Sequence, residues 1–294
     1  MNIKCDGAGD VLYDMIMAGR IGYGLSPLMK IRWRKRDILL SVLKRQGIFP
    51  EPIKNIIGHE LLFRAVPGSE DELPRRCVGP AFGQMTMDGQ QMIEAYPALL
   101  EKQLEFIAEL ADEKRKSVNL EYLVWDNDRA SAKVFQLLSE NGTSKLIVEI
   151  KEDGIMPEWV MCEISCICED TGMGIYIDDL AMKVNNVPEN IEYFQKLIKH
   201  LHHYIRAIKI DYAWVKRMMG DPSVKRRIDL NLHDFAYIWR CYTDLPLPKV
   251  IFESFPFDRI NAMKIVFNMA KDYGYGRCHF QSESMPNFKR RKLF

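Results

Sequence analysis

The chain has 294 residues, 47% of them hydrophobic, which is enough to bury one large core or two modest ones. Its 41 basic and 40 acidic residues give a net charge of +1, so no overall charge draws it to nucleic acid or to a membrane surface. The seven cysteines do not have the spacing of a disulfide framework, and neither a signal peptide nor an apolar run near the ~18 residues of a membrane span is visible, so we predict a protein of the reducing cytoplasm.

The first 48 residues precede the first predicted strand. We interpret them as an N-terminal extension that is mainly helical, ahead of a single domain formed by residues 49–294. Within the extension, Lys30–Arg45 carries seven basic residues and one aspartate, with leucines between them. A solvated helix packed on the main domain is the favoured interpretation. Binding to an acidic protein partner, to nucleic acid or to a membrane face is the alternative.

Seven short runs rich in β-branched residues predict strands. They are Leu61–Arg64, Ser117–Leu120, Lys145–Ile150, Gly174–Asp178, Ala207–Ile210, Lys249–Glu253 and Arg277–Gln281. A weaker eighth candidate lies around Ile53–Ile57. The stretch Ala65–Gln91 is rich in glycine, proline and acidic residues, which predicts a long loop over one end of the fold.

Longer segments with helical periodicity lie between most of these strands. They are Ile93–Lys114, Asp128–Glu140, Glu189–Ile205 and Asp258–Tyr273. Asp128 and Asp258 are predicted N-caps, and Gly142 and Gly274 stand where helices usually end. The alternation of strands and helices predicts an α/β fold with a mostly parallel sheet, and eight strands suit a closed barrel.

The cysteines and histidines of the chain give no catalytic or metal-binding pattern. Cys162, Cys166 and Cys168 lack a partner at zinc-like spacing, so we interpret them as small apolar residues on a buried face. The histidines between residues 200 and 203 are interpreted as surface residues of a helix. No phosphate-binding loop and no dinucleotide-binding glycine motif is present.

Each predicted strand ends in, or is edged by, a charged or amide side chain. These side chains are Glu60, Asn119, Glu149, Asp178 with Asp179, Lys209, Glu253 and Gln281. Because an unpaired charge in an apolar strand is costly, and because parallel strand ends converge at one mouth of a barrel, we expect them to gather there. Such an oxygen-rich set suits Mg²⁺ or Mn²⁺. The alternative is a series of unrelated strand-end charges that face solvent.

The same residues carry a resemblance to the EAL family of cyclic-di-GMP phosphodiesterases, over residues 51–286. Glu60-Leu61-Leu62 stands where the family has Glu-Ala-Leu, followed by Arg64, and Pro52-Ile53 resembles the motif upstream of it. Further matches, in the family's order, are Asn119, Glu149 with Glu152, Asp178-Asp179, Lys209-Ile210-Asp211, Glu253 and Gln281. Any one motif is weak, but eight in the right order are specific.

The resemblance implies a TIM-like (β/α)8 barrel of EAL type that hydrolyses one phosphodiester of cyclic-di-GMP to give linear pGpG. It implies two Mg²⁺ or Mn²⁺ ions, with the metal ligands Glu60, Asn119, Glu149, Asp178 and Asp179. Lys209 would orient the attacking water, Glu253 would act as a base or a ligand, and Glu152 would anchor the loop after the aspartate pair. The substrate would contact Arg64 and Gln281.

The chain departs from the family after the aspartate pair. It reads Leu180-Ala181-Met182-Lys183 where the family has Phe-Gly-Thr-Gly, and Pro256 and Ser282 replace two further family residues. Since the altered loop carries the family's dimer contact, a homodimer stays an open expectation.

Three functional interpretations follow. One is the metal-dependent phosphodiesterase. The second is a catalytically inactive regulator that binds cyclic-di-GMP, or a protein partner through residues 1–48. The third, an unrelated barrel aldolase or isomerase, would need a glycine-rich phosphate-binding loop late in the chain, which is absent.

Overall fold

Eight strands close into a barrel in which neighbours along the chain are neighbours in space. The computed structural model describes residues 8–18, 21–29, 56–65, 89–110, 114–120, 122–151, 156–178, 180, 187–210, 222–253, 265, 268–276 and 278–281. Its strands are β1 Ile21–Met29, β2 Ile56–Ala65, β3 Arg115–Asn119, β4 Leu146–Lys151, β5 Gly174–Asp178, β6 Ile205–Ile210, β7 Lys249–Phe252 and β8 Cys278–Gln281. Strands β2 to β8 run parallel, which confirms the predicted α/β barrel.

Strand β1 differs from the others in direction and was not predicted. It runs antiparallel to both β2 and β8, with Ile21 opposite Ala65 and Leu28 opposite Gln281. It lies within the first 48 residues, so the wall of the barrel begins inside the predicted N-terminal extension. The sequence of β1 does not predict a strand, because it contains glycines and Pro27, and both residue types are uncommon inside strands. Lys30–Arg45 lies outside the described residues.

Strand β2 is one continuous element. The weak candidate around Ile53–Ile57 and the predicted strand Leu61–Arg64 both overlap it, so they are not two separate strands. The eighth strand of the barrel is therefore β1, so the predicted number of strands is confirmed and the predicted position of one strand is wrong. Of the predicted loop Ala65–Gln91, residues 66–88 are outside the described residues, and the last three belong to a helix.

Six helices have defined bounds, and residues 265 and 268–272 are also helical, within the predicted helix Asp258–Tyr273. The six are α1 Ala8–Met17, α2 Gly89–Glu109, α3 Asp128–Asn141, α4 Glu158–Thr171, α5 Val187–Leu201 and α6 Pro222–Tyr242, with a 3₁₀-helix at Tyr122–Asp126. The first predicted N-cap is wrong by one residue, because the side chain of Asn127, not Asp128, accepts the Ala130 N–H at 3.0 Å. Asp258 lies outside the described residues, and Gly142 and Gly274 end helical segments as predicted. No described helix is both long and apolar enough to span a membrane.

Helices α4 and α6 were not predicted as elements. The buried residues of α4 fall three or four apart, at Val160, Ile164, Ile167 and Cys168, which is the spacing of one helical face. The helix therefore covers the barrel with this face and turns the opposite one outward. Of the three cysteines predicted to be buried, only Cys168 is, whereas Cys162 and Cys166 are exposed.

Alternate side chains along the strands belong to two apolar layers, one on each face of the barrel wall. In β4, Val148 and Ile150 join the large cluster that includes helix residues, whereas Ile147 belongs to a small cluster on the opposite face of the strands. Since successive strand side chains point to opposite faces, that small cluster lines the inside of the barrel. Its members are Ile147, Tyr176, Ala207 and Ile251. Two residues after each of them, and so on the same inner face, come Glu149, Asp178, Lys209 and Glu253.

Candidate metal centre

The ends of the parallel strands bring six of the candidate residues to one mouth of the barrel. Asn119, the last residue of β3, is paired in register with Glu149 of β4. Asp178 ends β5, and Glu253 directly follows β7, with its backbone N–H donated to the Ile210 carbonyl at 2.9 Å. Glu60 in β2 completes the carboxylates, and Lys209 comes from β6.

The Lys209 ammonium lies among four carboxylates. Its Nζ is 2.5 Å from Glu149 Oε2, 3.2 Å from Asp178 Oδ1 and 3.8 Å from Glu60 Oε2, and it also forms an ion pair with Glu253. Each carboxylate is supplied by a different strand, so the cluster exists only when the barrel is closed. With all groups ionised, four negative charges would surround one positive charge.

Burial controls the protonation of this cluster. Burial raises the pKa of Glu149 to about 8; the Lys209 ammonium opposes this rise, while the nearby Glu60 and Asp178 carboxylates add to it. Burial likewise raises the pKa of Glu253 well above its usual range, against the effect of Lys209. Burial alone would lower the pKa of Lys209, but the surrounding carboxylates raise it well above its usual value. The lysine therefore stays charged, and the raised pKa values of Glu149 and Glu253 favour their protonated forms unless a further cation joins the cluster.

The donor set fits a hard divalent cation. Glu60, Glu149 and Glu253 each offer one oxygen, and these oxygens lie within 4.8 Å of one another. Glu149 Oε1 is buried and has no hydrogen-bond partner among the described residues. A buried carboxylate oxygen without a donor is costly, and a cation bound to several carboxylates would remove that cost. All the donors are oxygens, which favours Mg²⁺ or Mn²⁺ over zinc.

Asn119 is held beside the carboxylates by a contact that the sequence did not reveal. Its Nδ2 lies 3.5 Å from Glu60 Oε1, at the long end of a hydrogen bond. The hydroxyl of Tyr96, a buried residue of α2, donates to the Asn119 backbone carbonyl at 2.6 Å. A tyrosine on the apolar face of a helix carries no sequence signal of such a role, which is why this contact was missed.

Four candidate residues are not placed by side chain. Asp179 and Glu152 lie outside the described residues, as do residues 181–183 of the altered loop. Of Arg64 and Gln281 only the backbone is described, with Arg64 paired to Gly22 and Gln281 paired to Leu28. The altered loop begins with Leu180, which is buried and donates its N–H to the Lys209 carbonyl at 3.0 Å.

No protein-family model and no curated protein sequence matches the chain, but its structure is similar to solved EAL structures. The FimX EAL domain is 11% identical, with 96% of this chain and 95% of that chain covered and a TM-score of 0.59. The PaMucR phosphodiesterase in complex with c-di-GMP is 14% identical, with 93% and 95% covered and a TM-score of 0.54. The Bacillus subtilis YkuI protein, with an EAL domain and in complex with substrate c-di-GMP and calcium, is 13% identical, with 94% and 58% covered and a TM-score of 0.57.

At 11–14% identity, the structural similarity shows a shared fold alone. The coverage extends over nearly the whole chain and nearly the whole FimX domain, so the similarity concerns the entire barrel and not one βα unit. The chain therefore has the fold of an EAL domain.

Proposed function

We propose that the protein is a divalent-metal-dependent phosphodiesterase that hydrolyses cyclic-di-GMP to linear pGpG. The observation that carries the proposal is the cluster of four inward carboxylates at the barrel mouth, with Glu149 Oε1 buried and unpartnered among the described residues. The EAL fold supports it, since the similar PaMucR and YkuI structures are complexes with c-di-GMP.

The electrostatics of the cluster explain why a cation would bind. Two like charges 4 Å apart repel by about 4 kcal/mol at an effective dielectric constant of 20. Lys209 supplies one positive charge to four carboxylates, so a divalent ion would offset much of the remaining repulsion. Glu60, Asn119, Glu149 and Asp178 would hold the first ion, and Asp178 with Asp179 the second. Such ions supply stabilisation of charge on the phosphoryl oxygens and lower the pKa of a water.

The remaining residues act on the water and on the substrate. Lys209 stays charged, and with its ammonium fixed by Glu149 it would orient the attacking water and neutralise developing charge. Glu253 would take a proton from that water or serve as a further ligand. The water oxygen bonds to phosphorus as the phosphorus bond to the ribose oxygen breaks, and the proton passes to that leaving oxygen. Arg64 and Gln281 would contact the substrate, and Glu152 would anchor the loop after the aspartates.

The test is turnover of cyclic-di-GMP by the purified full chain with Mn²⁺ or Mg²⁺, followed by chromatography of pGpG. We expect pGpG to form, to be lost with EDTA, and to fall at least about 100-fold in Glu149→Gln. Glu140→Gln is the matched control, because Glu140 is exposed at the end of α3 and should keep full activity. Absence of pGpG with a folded protein and both metals would refute the enzyme.

A second candidate is a regulator that binds cyclic-di-GMP without turnover. The buried Leu180 at the start of the altered loop favours it, since this loop follows directly on the two aspartates of the proposed metal site. Tight binding of cyclic-di-GMP without pGpG would support this regulator. If the protein neither binds nor hydrolyses cyclic-di-GMP, the result would point to a regulator that acts on a protein partner through residues 1–48.

A further inference from the structure

A thiol, an imidazole and a carboxylate stand in line on the outer surface, where α4 meets α5. Cys162 Sγ lies 3.6 Å from His200 Nδ1, and His200 Nε2 lies 2.6 Å from Glu158 Oε1. Glu158 and Cys162 are four residues apart on α4, which places both on one face of that helix, and His200 reaches them from the last turn of α5. No sequence pattern indicates a role for these residues, and the exposed Cys162 differs from the predicted buried position.

The carboxylate fixes which nitrogen of the imidazole carries hydrogen. The hydrogen bond to His200 and the charge of Lys199 hold the pKa of Glu158 below its usual value. Glu158 is therefore ionised at neutral pH and can only accept, so His200 Nε2 carries the hydrogen between them. In the neutral ring the lone pair then lies on Nδ1, the atom that faces Cys162 Sγ. The thiol thus has a base in contact with it, in the order thiol, imidazole, carboxylate that activates cysteine nucleophiles.

The other described cysteines each lack a feature of Cys162. Cys166 and Cys241 are also exposed but have no histidine in contact among the described residues. Cys168 is buried, and burial raises the pKa of its thiol to about 12, so it is both inaccessible and unreactive. The chain therefore contains its own controls for exposure without a base and for burial.

We propose that Cys162 is a modification site at which hydroperoxides oxidise the thiol to a sulfenic acid. The proton of Sγ passes to His200 Nδ1, and the thiolate attacks one oxygen of the peroxide. The sulfur–oxygen bond forms as the oxygen–oxygen bond breaks; sulfur is oxidised by two electrons and the peroxide is reduced. The departing oxygen takes the proton from the imidazolium and leaves as water or an alcohol. His200 acts as the base, and Glu158 is a positioning residue.

This site is separate from the carboxylates at the barrel mouth and does not depend on the proposed phosphodiesterase. Its charged surroundings are the Glu158 carboxylate on α4 and, on α5, Lys199 at 3.5 Å from Glu158 and Lys196, which interacts with Glu158 at longer range. Lys199 pairs with Glu158 and Lys196 pairs with Glu192. The group in contact with the thiol is His200.

The test measures the alkylation rate of every cysteine in the full-length protein, with limiting iodoacetamide and peptide mapping by mass spectrometry. At pH 7 we expect Cys162 to react about tenfold faster than Cys166 and Cys241. After hydrogen peroxide, dimedone should label Cys162 and not Cys162→Ser protein.

Two variants separate the proposed role from a structural one. His200→Gln should lower the Cys162 rate to that of Cys241 while leaving Cys166 and Cys241 unchanged, and Glu158→Gln should give an intermediate rate. Protection of Cys168 from alkylation reports that each variant remains folded. Equal rates at Cys162 and Cys241 in the unaltered protein, or an unchanged Cys162 rate in folded His200→Gln, would overturn the proposal.

Discussion

Lys209 Nζ and Glu149 Oε2 are 2.5 Å apart, and both side chains are 1% exposed. This is a fully buried ion pair at the mouth of the barrel, and the lysine also contacts Asp178 and Glu253. Burying a charge costs several kcal/mol, which a single partner repays only in part. The lysine and the carboxylates therefore depend on one another, and the loss of either should be measurable.

Replacing Lys209 should destabilise the metal-free protein more than an exposed lysine would. In EDTA at pH 7.5, we expect Lys209→Met to lower the free energy of unfolding by about 3–5 kcal/mol, because the buried carboxylates lose the cation they share. Urea denaturation measures this. Lys196→Met is the control, since its ion pair with Glu192 is exposed to solvent and should contribute little to stability. Similar losses in both variants would show that Lys209 does not hold the cluster together.

A divalent cation should stabilise the protein through Glu149. If Mn²⁺ binds the folded state and not the unfolded state, a concentration of 100 times the dissociation constant adds about 2.7 kcal/mol to the free energy of unfolding. We expect Mn²⁺ to raise the melting temperature of the unaltered protein and of Glu140→Gln, and to leave that of Glu149→Gln unchanged. A similar rise in Glu149→Gln would place the bound ion elsewhere.

Substitution of Gly142 should destabilise the protein because a Cβ lacks space there, and not because of the backbone conformation. Its φ of −62° suits any residue, but a Cβ would lie 2.5 Å from the Leu138 carbonyl oxygen and 2.7 Å from Thr171 Cγ2. Gly142→Ala should therefore lower the free energy of unfolding by about 1–3 kcal/mol. Gly276→Ala, where a Cβ meets nothing within 4 Å, should change it by less than about 0.5 kcal/mol. Equal urea midpoints for the two variants would contradict this packing.

The residues of the candidate site could be predicted from the sequence better than the strands of the barrel that carries them. A charge between two apolar residues, as in Val148-Glu149-Ile150, is costly unless it faces a shared interior, so period-two alternation alone indicates that Glu149 points inward. Strand β1 gives no such signal, because its residues include two glycines and Pro27, and only pairing with β2 and β8 makes it a strand.

Contacts between elements also lay beyond the reach of sequence patterns. Which cysteines of α4 face outward depends on the side from which the helix packs on the barrel, and the contact of Cys162 with His200 depends on the neighbouring helix. Tyr96 reaches Asn119 for the same kind of reason.

The stability of the metal-free protein should fall as pH rises from about 5 to 8. The pKa of Glu149 is about 8 in the folded protein because of burial, against about 4.3 in an unfolded chain. Between these values the folded state binds more protons than the unfolded state, so the free energy of unfolding decreases with increasing pH. The raised pKa of Lys209 contributes only above the usual lysine value and does not enter this window. Urea denaturation in EDTA across this pH range measures the slope of the free energy of unfolding against pH. Glu149→Gln should reduce this slope. Saturating Mn²⁺ should reverse its sign, since the ion binds the deprotonated carboxylates. Stability that is flat or rising between pH 5 and 8 in EDTA would mean that the buried carboxylates are already satisfied without a metal.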